Sequence, residues 1–131
     1  VLVVAPHPDD EVAACGGMVL HHVDAGDAVD VLFLTDGARG SWKEGDDSDY
    51  VSLREREARA ACAFQGTREP TFLGFVDGGL DADDTALVSA IAAAVERAEP
   101  GVIYCPSFVE IADRLSTQVE GAAPSLADFC N

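Results

Sequence analysis

The chain has 131 residues, 48% of them hydrophobic, which suits one folded domain and speaks against a disordered or fibrous protein. It carries 24 acidic against 8 basic residues, a formal net charge of −16, and such a field repels nucleic-acid phosphates and anionic membrane surfaces. Neither is expected as a partner, and no apolar run has the length of a membrane span.

No secretory leader is evident, and the chain starts at Val1, so an upstream segment is expected to have been trimmed or left out. Cys15, Cys62, Cys105 and Cys130 are widely spaced and form no C-x-x-C pair. They read as reduced, mostly buried thiols, consistent with a cytoplasmic protein.

In chain order, residues 1–5 form a short, almost wholly apolar run, as in a parallel strand covered on both faces. A Pro6-His7-Pro8-Asp9-Asp10 turn follows, then a helix over about 11–24 that Asp9 or Asp10 can cap, with Glu11 suiting the positive end of its dipole. A second strand spans 29–34, and a polar loop runs from 36 to about 50. The second helix is expected over 53–64, with Gly66 past its end. A third strand at 71–75, an Asp77-Gly78-Gly79 turn, an Ala-rich helix at 85–98 and a fourth strand at 102–105 complete the pattern.

Alternating strands and helices predict an α/β fold: a Rossmann-like three-layer sandwich with a mostly parallel sheet and right-handed crossovers, as one domain over 1–131. Ligands of such sheets bind outside the carboxyl ends of the strands, where the loops at 6–10, 36–50 and 75–80 and the segment at 106–113 converge.

The segment His7-Pro8-Asp9-Asp10 puts a ring nitrogen and two carboxylates into one small volume. Zinc accepts that donor mixture, and catalytic zinc takes three protein ligands and a water. Pro8 holds His7 extended and stiffens the turn. Of two adjacent carboxylates, one can bind the ion while the other acts as a base. The competing reading is that the two acids only cap the helix and His7 is a hydrogen-bonded surface residue.

Several segments, in order, resemble the LmbE/PIG-L-like deacetylases: Ala5-Pro6-His7-Pro8-Asp9-Asp10-Glu11 with Cys15-Gly16-Gly17, Leu34-Thr35-Asp36-Gly37, Arg54-x-x-Glu57-x-x-x-Ala61 before Gly66, Leu73-Gly74-Phe75-Val76-Asp77-Gly78, and Ile103-Tyr104-Cys105-Pro106-Ser107 leading to Glu110-Ile111. Gln65 stands where that family usually has Leu, and Ala38 where it often has an acid. The resemblance implies a Zn2+-dependent hydrolase (another divalent metal being possible) that removes the N-acetyl group from an amino sugar or glycoconjugate. It makes His7 and Asp10 metal ligands and Asp9 the general base, with Arg54 and Asp77 contacting the sugar and Asp36 lining the pocket. The partner would be a small-molecule amino sugar or glycoconjugate.

The family normally continues from the Glu110-Ile111 position with His-Pro-Asp-His, whose last His completes the metal site. Here Ile111-Ala112-Asp113-Arg114-Leu115 follows, with Ala112 and Leu115 at the histidine positions. Three readings stand: a stretch omitted between Ile111 and Ala112 together with C-terminal parts, substitution by Asp113 or Glu110, or an inactive relative that binds a sugar or metal. The first is favoured. His21 and His22 do not replace the ligand, since at ~1.5 Å rise per residue they lie roughly 15 Å along the first helix.

The remaining features have plainer readings. Trp42 either stacks on a sugar or packs its loop, and the acids at 46–49 form a solvated tip rather than a calcium loop. Asp81, Asp83 and Asp84 are helix caps. A nucleotide-binding domain is disfavoured, because neither G-x-G-x-x-G nor a P-loop lysine follows the first strand.

Overall fold

The computed structural model describes residues 1–40 and 48–105. Four strands, β1 (Leu2–Ala5), β2 (Asp30–Thr35), β3 (Thr71–Phe75) and β4 (Ile103–Tyr104), form one sheet in the order β3-β2-β1-β4, every pairing parallel. The helices are α1 (Asp10–Ala13), α2 (Gly16–Asp24), α3 (Ser48–Gln65) and α4 (Thr85–Ala98), with a 3-10 turn at Ala38–Gly40.

Strand alternation sorts the core into two layers. Val3, Ala5, Val31 and Phe33 pack with Val19 of α2 and with Ala58 and Cys62 of α3. Leu2, Leu32 and Leu34 point the other way, onto Leu87 and Ala94 of α4. Helices therefore cover both faces, as the strand–helix alternation predicts. Two successive crossovers step outward from β1 to β3, and the third returns across the sheet to β4. Because crossovers are right-handed, reversing direction sends α4 to the opposite face. The order reverses at β1, so its carboxyl end faces the crevice where such sheets take ligands.

The single helix expected over 11–24 is two helices, broken at Cys15 (φ −138°, ψ 13°) ahead of Gly16-Gly17, residues with little helical preference. Gly16 is buried there, and a Cβ on it would come within 3.3 Å of Gln65 Nε2. Helix α3 begins five residues earlier than the expected 53, its first turn, Ser48-Asp49-Tyr50-Val51, opening on two polar residues that give no apolar periodicity. Helix α4 matches the expected span, and Asp84 caps it by accepting the Ala86 N–H at 2.8 Å. His21 is exposed, whereas His22 bridges Asp27 Oδ2 (2.7 Å) and the Tyr104 hydroxyl (2.9 Å), fastening the short strand β4 to the end of α2. No helix among the described residues is long and apolar enough to cross a membrane.

Phe33 stacks on Phe72 at a centroid distance of 4.8 Å and is the largest fully buried side chain among the described residues. Replacing Phe33 by Ala should lower the unfolding free energy by roughly 3–5 kcal/mol in a urea titration. The same change at Phe64, 89% exposed, should stay within about 0.5 kcal/mol.

Candidate active site

Three loops at the carboxyl edge of the sheet are laced together by backbone groups. The Pro6 carbonyl after β1 accepts from Thr35 N–H (2.9 Å) and Thr35 Oγ1 (2.7 Å) at the end of β2. Asp36 N–H donates to the Phe75 carbonyl at 2.9 Å, and Asp36 Oδ1 accepts from Ala38 N–H and Asp77 N–H, both at 3.1 Å. Asp36 is thus the post that joins the second and third loops.

His7 leaves β1 between two carboxylates. Its Nδ1 lies 3.1 Å from Asp10 Oδ2, and its Nε2 lies 3.0 Å from Asp77 Oδ1. Asp10 Oδ2 also accepts the His7 backbone N–H at 2.9 Å, so Asp10 folds back over the turn. A ring facing carboxylates through both nitrogens donates to both only as the cation. The Asp10 hydrogen bond accordingly pushes the His7 pKa up to about 9; burial opposes this and Asp77 adds to it. Burial alone would raise Asp10, but the hydrogen bonds from the His7 ring and backbone outweigh it and hold that carboxyl below the usual range.

Asp77 is 8% exposed, and its second oxygen accepts the Arg39 backbone N–H at 3.0 Å. Gly78 beside it has φ +68°, and any Cβ there would collide with the Arg39 guanidinium. The guanidinium is the far end of a flexible side chain and can swing aside, so it is the positive φ that favours glycine at that corner.

Asp9 sits at the start of α1, but its side chain makes no capping hydrogen bond. The carboxylate instead pairs with Arg54 Nη2 at 2.7 Å. Adjacent acids therefore face different partners, Asp10 toward His7 and Asp9 toward Arg54. The Asp9 side chain is 69% exposed, yet desolvation by the surrounding turn lifts its pKa from the ordinary value, with the Arg54 charge opposing. Arg54 is only 12% exposed; Nη1 donates to the Gly37 carbonyl at 3.0 Å and Nη2 to the Pro8 carbonyl. Its guanidinium staples the first loop to the second. Gly37 (φ +65°) allows this approach, since a Cβ there would lie 2.8 Å from Arg54 Nη1 and 3.1 Å from Pro8 Cδ.

A cavity of about 560 Å³ opens beside this turn, lined by Pro8, Asp9, Tyr50, Arg54 and Glu57. A smaller one, about 140 Å³, lies at the β1–β4 crevice against Asp10, Cys15, Tyr104 and Cys105. Burial raises the thiol pKa values of Cys15 and Cys62, the latter to about 11, which makes both poor nucleophiles.

The structure thus brings His7, Asp9, Asp10, Asp36, Arg54 and Asp77 into one linked cluster. Among the described residues no three His, Cys, Asp or Glu side chains are arranged to hold a metal ion. Glu110 and Asp113, weighed as the third donor, and Trp42 lie outside the described residues. Two metal bonds of about 2.0–2.1 Å at the tetrahedral angle place their donor atoms roughly 3.3 Å apart. The 3.1 Å between His7 Nδ1 and Asp10 Oδ2 matches that separation, so the pair fits one edge of a zinc site. Sequence reasoning did not find the burial of Glu11, which is fully enclosed beneath the turn although it reads as a helix-dipole residue.

The profile of the PIG-L family, described as GlcNAc-PI de-N-acetylase, matches residues 2–115. A probable N-acetyl-alpha-D-glucosaminyl L-malate deacetylase from Bacillus cereus is 33% identical over 108 residues, covering 79% of this chain and 49% of the relative. The N,N'-diacetylchitobiose deacetylase of Pyrococcus horikoshii shares the fold at a TM-score of 0.75 and 24% identity, over 80% of this chain and 39% of that one. The 4-carboxy-2-hydroxymuconate hydratase of Pseudomonas putida superposes at 0.70 with 28% identity, over 79% of this chain and 45% of that one. The chain spans about half the length of the curated relatives it matches. With the profile match running through nearly all of its strands, helices and strand-end loops, this chain belongs to the PIG-L family of de-N-acetylases.

Proposed function

We propose that the protein hydrolyses the N-acetyl group of an N-acetylated amino sugar or glycoconjugate, using a divalent metal, zinc by preference, held in part by His7 and Asp10. The observation that carries this reading is the paired His7 and Asp10, backed by Asp77 and flanked by Asp9. The family description and the glucosaminyl-malate relative support the amino-sugar class.

A metal bound at this edge supplies a Lewis acid that polarises the amide carbonyl and makes water a better nucleophile. His7 offers Nδ1 and Asp10 offers Oδ2. Asp77 receives the Nε2–H of His7 and so fixes the ring orientation, the part a carboxylate commonly plays behind a metal-binding histidine. Asp9 accepts the proton of the attacking water and delivers it to the sugar nitrogen as the C–N bond breaks, giving acetate and a free amine. Among the described residues Arg54 makes three protein contacts, which use one Nη1–H and both Nη2–H, and we assign its Nε–H and second Nη1–H to a sugar hydroxyl at the rim of the cavity. Asp36 serves the sugar indirectly, by holding the loops that frame it.

Because the hydratase shares this framework, the decisive assay is acetate release from N-acetylglucosamine derivatives by zinc-loaded, full-length protein. No acetate from any member of such a panel refutes the proposal. Asp9→Asn should reduce the rate by roughly 10²–10⁴-fold with metal content by elemental analysis unchanged. Metal lost in that variant would make Asp9 a ligand instead.

Metal and proton compete for His7 Nδ1. With the ring pKa pushed up to about 9, metal affinity should weaken about tenfold per pH unit as pH falls below that value. Calorimetry in two buffers near pH 7 should find about one proton released per ion bound, and His7→Asn should remove both the release and the binding. The same raised pKa stabilises the metal-free fold fully below about 6.5, and that contribution disappears as pH rises through about 9. Thermal melts of metal-free protein should fall across this window.

A further inference from the structure

Asp9 has φ 142° and ψ −21°, a conformation that side-chain-bearing residues rarely adopt. Such a backbone persists only where its surroundings over-determine it. The Asp9 carbonyl accepts the Val12 and Ala13 N–H groups of α1 at 3.1 and 2.9 Å, and two side chains add to this. Arg54 grips the Asp9 carboxylate and the preceding Pro8 carbonyl from the side of α3. From below, Glu11 Oε2 accepts the Asp9 backbone N–H at 3.1 Å.

Glu11 is 0% exposed, which is rare for a glutamate, and among the described residues its Oε1 has no hydrogen-bond partner. A carboxyl enclosed with one oxygen unmatched is an expense for the fold, since an apolar side chain of similar volume avoids that desolvation. The contact that Oε2 makes to Asp9 is local, and the backbone N–H groups of Glu11 and Val12 also act on the carboxyl at the start of α1. The Oε2 contact turns the Asp9 N–H inward, and rotation about the Asp9 N–Cα bond is what sets where the Asp9 carboxylate points.

We infer that Glu11 is the positioning residue for Asp9: it holds the base's backbone in its strained conformation, so that the carboxylate stays turned onto Arg54 and the larger cavity rather than relaxing away. This rests on Asp9 being the base of the proposed hydrolysis, and it concerns geometry rather than metal binding or substrate contact.

The test compares Glu11→Gln, which keeps an acceptor of the same shape, with Glu11→Leu, which fills the space without one. Both are made in zinc-loaded, full-length protein. Glu11→Leu is expected to lower kcat by about 10–100-fold with KM, zinc content and urea midpoint near those of the parent, while Glu11→Gln recovers most of the rate. Crystal structures should show Asp9 φ retained in the Gln variant and shifted to negative values in the Leu variant.

Equal rates for Leu and parent, equal losses for Leu and Gln, or an unchanged Asp9 φ in the Leu variant would each overturn the inference. If Glu11→Leu fails to fold, Glu11→Met is used, and failure of both while Gln folds assigns Glu11 to folding instead, which also overturns it. If the parent itself releases no acetate, the hydrolase reading has failed, and the Asp9 φ comparison alone decides the role of Glu11.

Discussion

His7 facing a carboxylate through each ring nitrogen is the contact on which the arrangement of the site depends. Asp10 is three residues away in the same turn, and its bond follows from local geometry. Asp77 arrives from the loop after β3, on the far side of the sheet order, and reaches His7 only because β1, β2 and β3 lie side by side in parallel. The same carboxylate anchors the Arg39 backbone, so the loops after all three strands share one buried acid. Among charges drawn into a half-buried rim, a ring flanked by opposite charges is a stable solution, and the proton between ring and carboxylate is what a divalent cation would displace.

Asp9 is organised by a different logic. Its neighbour Asp10 faces the histidine, whereas Asp9 is turned outward onto the larger cavity and paired with Arg54. Arg54 binds two backbone carbonyls and one carboxylate, a task suited to a planar, multidentate cation and poorly suited to lysine. Glu11 fixes the Asp9 backbone from beneath. A strained residue held at once from its side chain and from its amide is a common device where a side chain must point against local preference.

Family membership and the fold narrow the chemistry without naming the substrate. The superposition with a hydratase shows that this framework is compatible with more than one reaction, so the assignment rests on the donor set and on the sugar-directed relatives rather than on topology. The acidic surface, with 24 acidic residues, makes the basic residues at the rim conspicuous. Arg54 and Arg39 both stand there, each anchored by the loops that carry the acids.

Local patterns in the sequence determined the strands, the parallel α/β architecture, the span of α4 and the concentration of polar chemistry at one edge, because periodicity and turn residues act over a few positions. The Pro6–Asp10 turn was legible in the same way. Only the tertiary structure decided that Asp77 sits on His7, that Arg54 points inward to Pro8 and Gly37, that Asp36 ties two loops, and that Glu11 is enclosed. It also decided the break at Cys15, where Gly16 meets Gln65 of another helix. These contacts join residues far apart in the chain. No local periodicity encodes them, and they exist only once strands and helices have packed.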